Sequence, residues 1–409
     1  MKFWREILQA SSTVLEWIQV GYKLPLQYLP EPHSQSNHTS ALSHDSFVTD
    51  AVSQLLANRC VKEVREKPYI CSPLSVVENA EGKLRLVLNL RYLNQFLTQA
   101  KFKYEDLRVA LLMFTQGDLL FKFDLKSGYH HVDIFEPHQR YLGFAWEVNN
   151  HQNFYVVTVL PFGLATACYA FTKLMRPLVR YWRGRGLRVI VYLDDGIVAV
   201  KGKDEAIRES KVVQSDLMKA GLIVNNEKSE WIPSKILVWL GFQIDLQDGR
   251  LTVPEHKVNA LTMLIQQAKD DRAVRATTLA SIVGKIVSMG LALGPVTRLM
   301  TRSLYGVLNA RSSWCQTLLL TAEAAEEQSF WLRHIKNFNG QNIWPKPSAV
   351  RVVYSDASGT GFGGYCVEHS DQMVTGQWSE EEARQSSTWR ELRAVHLVLD
   401  SIYSRFAKL

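Results

Sequence analysis

The stretch Val189–Val200, reading Val-Ile-Val-Tyr-Leu-Asp-Asp-Gly-Ile-Val-Ala-Val, constrains this chain more than any other. Two β-branched, apolar runs flank Asp194 and Asp195. Such residues suit a buried, pleated surface, and an Asp-Gly pair between two such runs favours a tight turn. The pattern predicts a buried hairpin with two adjacent carboxylates at its tip and Asp195–Gly196 in the turn. Neighbouring carboxylates repel, and a divalent cation relieves the repulsion. An ordinary hairpin whose turn is Asp-Asp-Gly fits these twelve residues equally well. A third carboxylate decides between the two. Phe121-Lys-Phe-Asp124-Leu-Lys-Ser-Gly-Tyr129 predicts a strand that ends in Asp124, followed by a turn at Gly128. A strand-end Asp beside the hairpin makes a three-carboxylate cluster. That is the ligand set for two hard cations about 4 Å apart, which clamp both oxygens of an in-line phosphoryl transfer.

Three motifs now stand in order: Phe-Asp124-Leu-Lys-Ser-Gly-Tyr129, Leu160-Pro-Phe162-Gly163-Leu164 and Tyr192-Leu-Asp194-Asp195. In these the chain resembles the reverse transcriptases of retroelements. Val14-Leu-Glu-Trp-Ile18 with Gly21-Tyr22 is similar to the segment that precedes the polymerase in DIRS-type elements, and the rest is LTR-like. The resemblance implies an α/β fold with an α+β palm: a right-hand polymerase with fingers, palm and thumb, plus a partial ribonuclease H-like domain. It implies an RNA-directed DNA polymerase of a retrotransposon. Asp124 and Asp194 would hold two magnesium ions, with manganese as a substitute, and Asp195 would complete the cluster. The implied partners are an RNA template, a DNA primer–template duplex and deoxynucleoside triphosphates. A catalytically silent nucleic-acid-binding fragment of a retroelement is the alternative from another class. An RNA-templated RNA polymerase is a further one, against which Tyr129 argues.

Composition sets outer bounds. The 409 residues suggest two or three domains, and 46% hydrophobic content supports sizeable cores. A net charge of +7 suits a polyanionic partner. No run of eighteen apolar residues occurs, so no membrane span is expected. The five cysteines, at 60, 71, 168, 315 and 366, have no zinc-ligand spacing and read as reduced core residues of an intracellular protein, nuclear or cytoplasmic.

Along the chain, residues 1–45 read as an amphipathic helix over 1–22 and a polar linker or surface loop over 30–45. Residues 46–254 read as fingers and palm. Helical spacing spans 46–64, then strands follow at Ser72–Val77 and Lys83–Arg91, joined by a turn at 79–82. Alternation places Lys83, Arg85 and Arg91 on one strand face. That face is either solvated or cationic toward a triphosphate. The resemblance favours the second, with Arg85 the best-matching position and Lys83 beside it; Arg91 and Asn94 match a structural fingers-to-palm element. A helix is expected over 104–116, with Leu107, Leu111, Leu112 and Phe114 inward. Tyr129 follows five residues after Asp124. The resemblance makes it the ring beneath the sugar that excludes a 2′-hydroxyl. His130 and His131, read as adjacent strand residues, point to opposite faces and cannot share a cation. Phe162 and Gly163 are implied to pack against the nucleotide. The run Arg176, Arg180, Arg183, Arg185 and Arg188 reads as a solvated helix end, with contact to template phosphates as the alternative. Asp204 is expected to cap the next helix. In Gly221–Lys228, the resemblance makes Lys228 the acid that protonates the leaving pyrophosphate, with a surface lysine as the competing reading. Val238–Ile244 and Arg250–Val253 flank Asp248–Gly249 and predict a second hairpin; the resemblance makes it the element that grips the primer end, with Leu240 and Gly241 at the matching positions.

Residues 255–345 read as a basic helical thumb or connection, and Trp344-Pro-Lys-Pro347 as a boundary. Residues 346–409 end in an expected helix, Thr388 to Phe406, with Leu392, Val395, Leu399, Ile402 and Phe406 in period, and resemble the start of a ribonuclease H domain, with Asp356 and Glu391 at two of its carboxylate positions. Glu391 also fits a capping box beginning at Thr388. The expectation is that about half of that domain is present, with an incomplete carboxylate set.

Overall fold

The computed structural model of the chain describes residues 1–79, 82–148, 151–270, 273–344, 352–367 and 369–406. Ala80 and Glu81 of the expected turn, Arg272 of the basic thumb and residues 345–351 at the Pro-rich boundary lie outside the described residues. Two units form, Met1–Ile343 and Trp344–Leu409.

At the centre of the first unit is a four-stranded antiparallel sheet. Its order is Glu230–Ser234, Leu119–Asp124, Asp195–Val200, Arg188–Tyr192. The two middle strands are apolar on both faces. Leu120, Phe121, Phe123, Ile197, Val198 and Ala199 are all buried, each large side chain contributing about 1.5–3 kcal/mol. Helices Ala167–Gly184 and Lys203–Lys219 pack against it. Trp182 joins them, donating to Asp216 Oδ2 at 3.1 Å and meeting Phe123 edge-on. The second helix starts behind Gly202, so Asp204 lies in its first turn rather than at the cap.

The arginine run is not a solvated helix end. Arg180 donates to the carbonyls of Leu8 and Gln9, Arg183 pairs with Glu105, Arg185 with Glu209, and Arg188 with fully buried Asp118 at 2.7 Å. Arg176 stays exposed, and the other four tie this helix and the strand after it to the N-terminal segment, to Glu105 and Asp118 and to the next helix, which spacing along one helix could not show.

The N-terminal residues belong to the same core. The expected single helix is two pieces, a π-helical turn Phe3–Ile7 and a helix Ser12–Val20 capped by Ser11. Trp4, Leu8 and Val14 are buried with the central sheet, and Trp4 Nε1 donates to Ala220 O at 3.1 Å. The polar stretch read as a linker forms structure too: His33–Ser34 pairs with Ile70–Cys71, and the turn of helix Thr39–Leu42 buries Ala41.

The expected helix over 46–64 stops at Ala57. Arg59, at φ +57, turns the chain so that Val61–Val64 pairs with Phe154–Val157 in a five-stranded sheet. A separate hairpin, Leu74–Glu78 with Leu84–Leu88, carries Lys83 and Arg85 exposed. The strand ends at Leu88, and Arg91 opens a short helix, so Arg91 leaves that face. Helix Leu107–Met113 is shorter than its pattern, because Asp106 caps it by accepting from the Arg108 and Val109 amides. Leu112 faces solvent, 88% exposed.

The expected hairpin about Asp248–Gly249 forms, Phe242–Asp245 against Arg250–Thr252, but Val238–Ile244 is not one strand: it folds into a further hairpin, Ile236–Trp239 against Phe242–Asp245. Leu240 (φ +46) and Gly241 (φ +81) form its tip, the sign pattern of a type I′ turn. Helices Glu255–Asp270, Ala276–Ser288, Arg302–Asn309 and Ala322–Phe338 follow, burying Leu261, Ile265, Leu279, Ile282, Leu304 and Trp331. A two-strand ladder, Ala273–Arg275 with Thr317–Leu319, interrupts the all-helical pattern.

The second unit is a three-stranded antiparallel sheet, Val353–Ala357, Gly361–Cys366 and His369–Gln377, with helix Ser387–Phe406 packed on it. The buried helix positions are Ala394 and Val398, whereas Leu392 and Leu399 of the expected apolar stripe are 67% and 48% exposed. Gly364 explains the choice: a Cβ there would stand 2.7 Å from Val398 Cγ1, so only glycine lets the helix approach along that line.

All five cysteines are free; Cys60, Cys71 and Cys366 are buried, while Cys168 is partly exposed and Cys315 exposed, unlike the expected core set. No helix among the described residues is long and apolar enough to cross a membrane.

Candidate active site

The hairpin turns one step earlier than its sequence suggests. Tyr192 pairs with Asp195, which leaves Leu193 and Asp194 as the two-residue loop. Leu193 sits at φ +57 and Asp194 is not in the left-handed region. Positive φ at the first loop residue alone is the sign pattern of a type II′ turn. Glycine normally holds that position, so a leucine there is backbone strain at the hairpin tip. Gly196 serves another purpose. It faces Phe123 on the neighbouring strand, and a Cβ would lie 2.1 Å from the ring.

Asp195 is the direct cross-strand partner of Asp124. Facing residues on antiparallel strands hold their Cβ atoms about 4.5–5.5 Å apart, so two carboxylates here oppose each other. Burial pushes the Asp195 carboxyl up to about 6, and the hydrogen bond its protonated form donates to Asp124, with the charges of Asp194 and Asp124, adds to it, Lys228 acting the other way. Burial and the Asp124 charge raise Asp194 as well, against the lowering effect of its own backbone hydrogen bond. Asp194 lies against the next segment, since a Cβ on Gly128 would be 3.1 Å from Asp194 Cβ. Lys228 Nζ is 3.7 Å from Asp124 Oδ2 and largely exposed.

Asp124 is held by residues that the sequence did not single out. Its amide donates to Ser229 Oγ at 3.0 Å, its carbonyl accepts from the Asn225 amide at 2.8 Å, and Ser229 Oγ donates to Asn225 O at 2.7 Å. This ties Lys228, between them in sequence, to the carboxylate strand.

Tyr129 lies in a 3-10 turn, Gly128–His131, not in a strand. The strand argument about His130 and His131 therefore fails, although both remain structural. His131 Nε2 accepts from the Ile223 amide at 2.9 Å, so its Nδ1 carries the proton directed at Gly128 O, 3.0 Å away. His130 Nδ1 is 3.4 Å from Cys60 Sγ. Burial lowers both imidazoles. The Tyr129 ring lies 4.9 Å from Phe162 and 5.6 Å from Phe171. Phe162 is 60% exposed. Gly163, at φ +88, takes a conformation that favours glycine, and its would-be Cβ is 3.4 Å from Leu88 O. Asn94 clamps this loop: its Nδ2 donates to Gly163 O and its Oδ1 accepts from the Ala165 amide, both at 2.9 Å. A structural match in the sequence thus proves to brace the Phe162–Gly163 turn. Lys83 and Arg85 stand on the hairpin that ends at Leu88. Lys257 Nζ reaches Gly241 O at 3.3 Å and holds the Leu240–Gly241 tip.

In the second unit Asp356 is exposed on the Val353–Ala357 strand and Glu391 is exposed on the packed helix. Thr388 is inside that helix, whose first turn is capped by Ser386 Oγ accepting from the Trp389 amide. The capping-box reading of Glu391 is therefore not supported.

Among the described residues, no three His, Cys, Asp or Glu side chains close into a metal cage. The facing carboxylates of Asp124 and Asp195, with Asp194 on the loop beside them, still fit magnesium. That ion is usually held by one or two carboxylates, with substrate phosphates and water completing its six positions.

The comparisons follow the same residues. Residues 77–244 match the family described as reverse transcriptase (RNA-dependent DNA polymerase). The Transposon Tf2-3 polyprotein of Schizosaccharomyces pombe is 26% identical over 231 residues, 56% of this chain and 16% of that one. A Pol polyprotein from transposon gypsy of Drosophila melanogaster is 27% identical over 237 residues, 56% of this chain and 22% of its own length. A putative enzymatic polyprotein of Cassava vein mosaic virus is 24% identical over 403 residues, 94% of this chain and 57% of the viral one. The chain therefore spans about a sixth of the fission-yeast polyprotein. Among solved structures, the foamy viral protease-reverse transcriptase in complex with RNA/DNA hybrid has a TM-score of 0.67 at 18% identity, covering 94% of this chain and 50% of the other. That likeness establishes a palm-type polymerase fold. The match to the reverse transcriptase family over residues 77–244 spans all three motifs.

Proposed function

We propose that this chain is an RNA-directed DNA polymerase that extends a DNA primer with deoxynucleotides. The observation that carries the reading is the cross-strand pair Asp124–Asp195, with Asp194 on the loop beside it. Asp124 and Asp194 would hold two magnesium ions, or manganese, with Asp195 alongside. Bound there, such ions supply charge stabilisation to the attacking and leaving oxygens. The primer 3′-hydroxyl attacks the α-phosphate, the bond to the β-phosphate oxygen breaks, and pyrophosphate leaves. Lys228 Nζ, exposed and near Asp124, is placed to deliver a proton to the departing pyrophosphate. Arg85 and Lys83 face solvent from the hairpin and pair with the triphosphate charge. Tyr129, backed by Phe162 and Phe171, sits beneath the sugar and leaves no room for a 2′-hydroxyl. The Leu240–Gly241 tip holds the primer end. The template is RNA and the product a duplex, which the basic charge of the chain favours. Asp356 and Glu391 are read as two carboxylates of a ribonuclease H-like site.

Extension of oligo(dT) on poly(rA) with magnesium tests the reading. Asp124→Asn and Asp194→Asn each remove an anionic ligand at little steric cost. Both variants should lose extension while keeping duplex binding. Near-unchanged extension by either one overturns the metal assignment.

A further inference from the structure

Tyr129 carries its hydroxyl into a small polar cluster. Its Oη is 3.0 Å from Cys168 Sγ. Tyr104 lies near the same thiol, and its ring lies 5.1 Å from that of Tyr192 in the catalytic hairpin. The thiol thus has phenols from two distant parts of the chain beside it. Burial raises both phenols, and the contact with Cys168 adds to the effect, so both stay neutral hydroxyls able to donate or accept.

The surroundings explain why this contact matters. The backbone before the ring is fixed, because Gly128 packs against Asp194 and Phe171. The ring lies against two aromatic neighbours, Phe162 and Phe171. Aromatic contacts tolerate offset and tilt and set no single angle. A hydrogen bond at the far end of the ring does. Cys168 is itself well anchored, in the first turn of helix Ala167–Gly184, directly after the loop that Asn94 clamps.

We infer that Cys168 is a positioning residue for sugar selection: its thiol sets the tilt of the Tyr129 ring and so the space left for a 2′-hydroxyl. This rests on the reading of Tyr129 as the sugar gate. Cys168 touches neither nucleotide nor metal in this role and acts only through Tyr129.

The test is single-nucleotide incorporation by the full chain on a mixed-sequence RNA template with magnesium, comparing kcat/KM for CTP and dCTP. Cys168→Ala should raise the ribonucleotide-to-deoxynucleotide ratio about 3- to 10-fold, the scale of one lost hydrogen bond. Cys168→Ser, which keeps a hydrogen-bonding group, should restore most of the discrimination. In a Tyr129→Phe background, where the hydroxyl is already gone, Cys168→Ala should add nothing, since the two changes remove one interaction. If Cys168→Ala yields no soluble protein, Tyr104→Phe leaves the thiol in place and should shift the ratio in the same direction. A ratio unchanged in Cys168→Ala while Tyr129→Val shifts it overturns the positioning role and leaves the gate standing. So does an equal loss of rate for both sugars. A ratio unchanged in Tyr129→Val overturns the gate and the positioning role together.

Discussion

Asp195 should cost this protein stability at neutral pH when no cation is present, and Asp195→Asn should recover it. The carboxyl is raised from its ordinary 3.8 to about 6 by burial, by its hydrogen bond with Asp124 and by two neighbouring negative charges. The proton is therefore bound more tightly in the folded chain than in the unfolded one. A raised folded value adds stability that is fully present below about pH 4 and is lost as pH rises through about 6. The shift corresponds to at most roughly 3 kcal/mol, and the partial exposure of the site trims this to about 1–3 kcal/mol. Asparagine has the shape of the protonated acid and can donate to Asp124. Thermal unfolding in metal-free buffer should show the variant more stable than wild type by a few degrees at about pH 7.5. The gap should close below about pH 4, where the wild-type acid is protonated too. Added magnesium should narrow the gap at neutral pH by stabilising wild type more than the variant, because a cation bound to the folded state offsets the repulsion. A variant no more stable than wild type at neutral pH, or a gap independent of pH, would refute the account of the facing carboxylates.

Other consequences follow from the same contacts. Arg188→Ala strands the fully buried Asp118 without its cation and should lower the stability of the first unit by about 3–5 kcal/mol in denaturant titration. Gly196→Ala drives a methyl into the Phe123 ring and should cost about 1–3 kcal/mol, together with most of the primer extension, because the strain falls between the two carboxylate strands. Asn94→Ala removes both clamps on the Phe162–Gly163 turn; kcat/KM for deoxynucleotides should fall about 10-fold or more with thermal stability changed far less. Arg85→Ala should raise KM for the nucleotide and leave duplex binding intact, and an unchanged KM would move the triphosphate away from that hairpin.

The sequence alone determined the carboxylate centre, because its signals are local. A strand ending in Asp124, a β-branched hairpin around Asp194 and Asp195, and the Pro161–Gly163 turn are each written in a few consecutive residues. Their order limits them to one arrangement. What the sequence could not carry was contact between distant residues. Asp195 stands opposite Asp124 because the two strands pair in one register, and that register places the loop at Leu193–Asp194 rather than at the more turn-like Asp195–Gly196. Gly196 reads as a turn residue locally but is needed for the approach of Phe123 across the sheet. The arginine run looks like a polar helix end until Glu105, Asp118 and Glu209 arrive from other elements to neutralise it. Trp4 and Leu8 look like one face of a lone amphipathic helix, and only packing shows that they complete the core beneath the active site. Asn94, Ser229 and Cys168 gave no functional signal, because each acts through a hydrogen bond to a residue tens of positions away. In the second unit the periodic leucines marked the wrong face: the helix meets its sheet where Gly364 leaves room for Val398, a fit that hydrophobic spacing does not record.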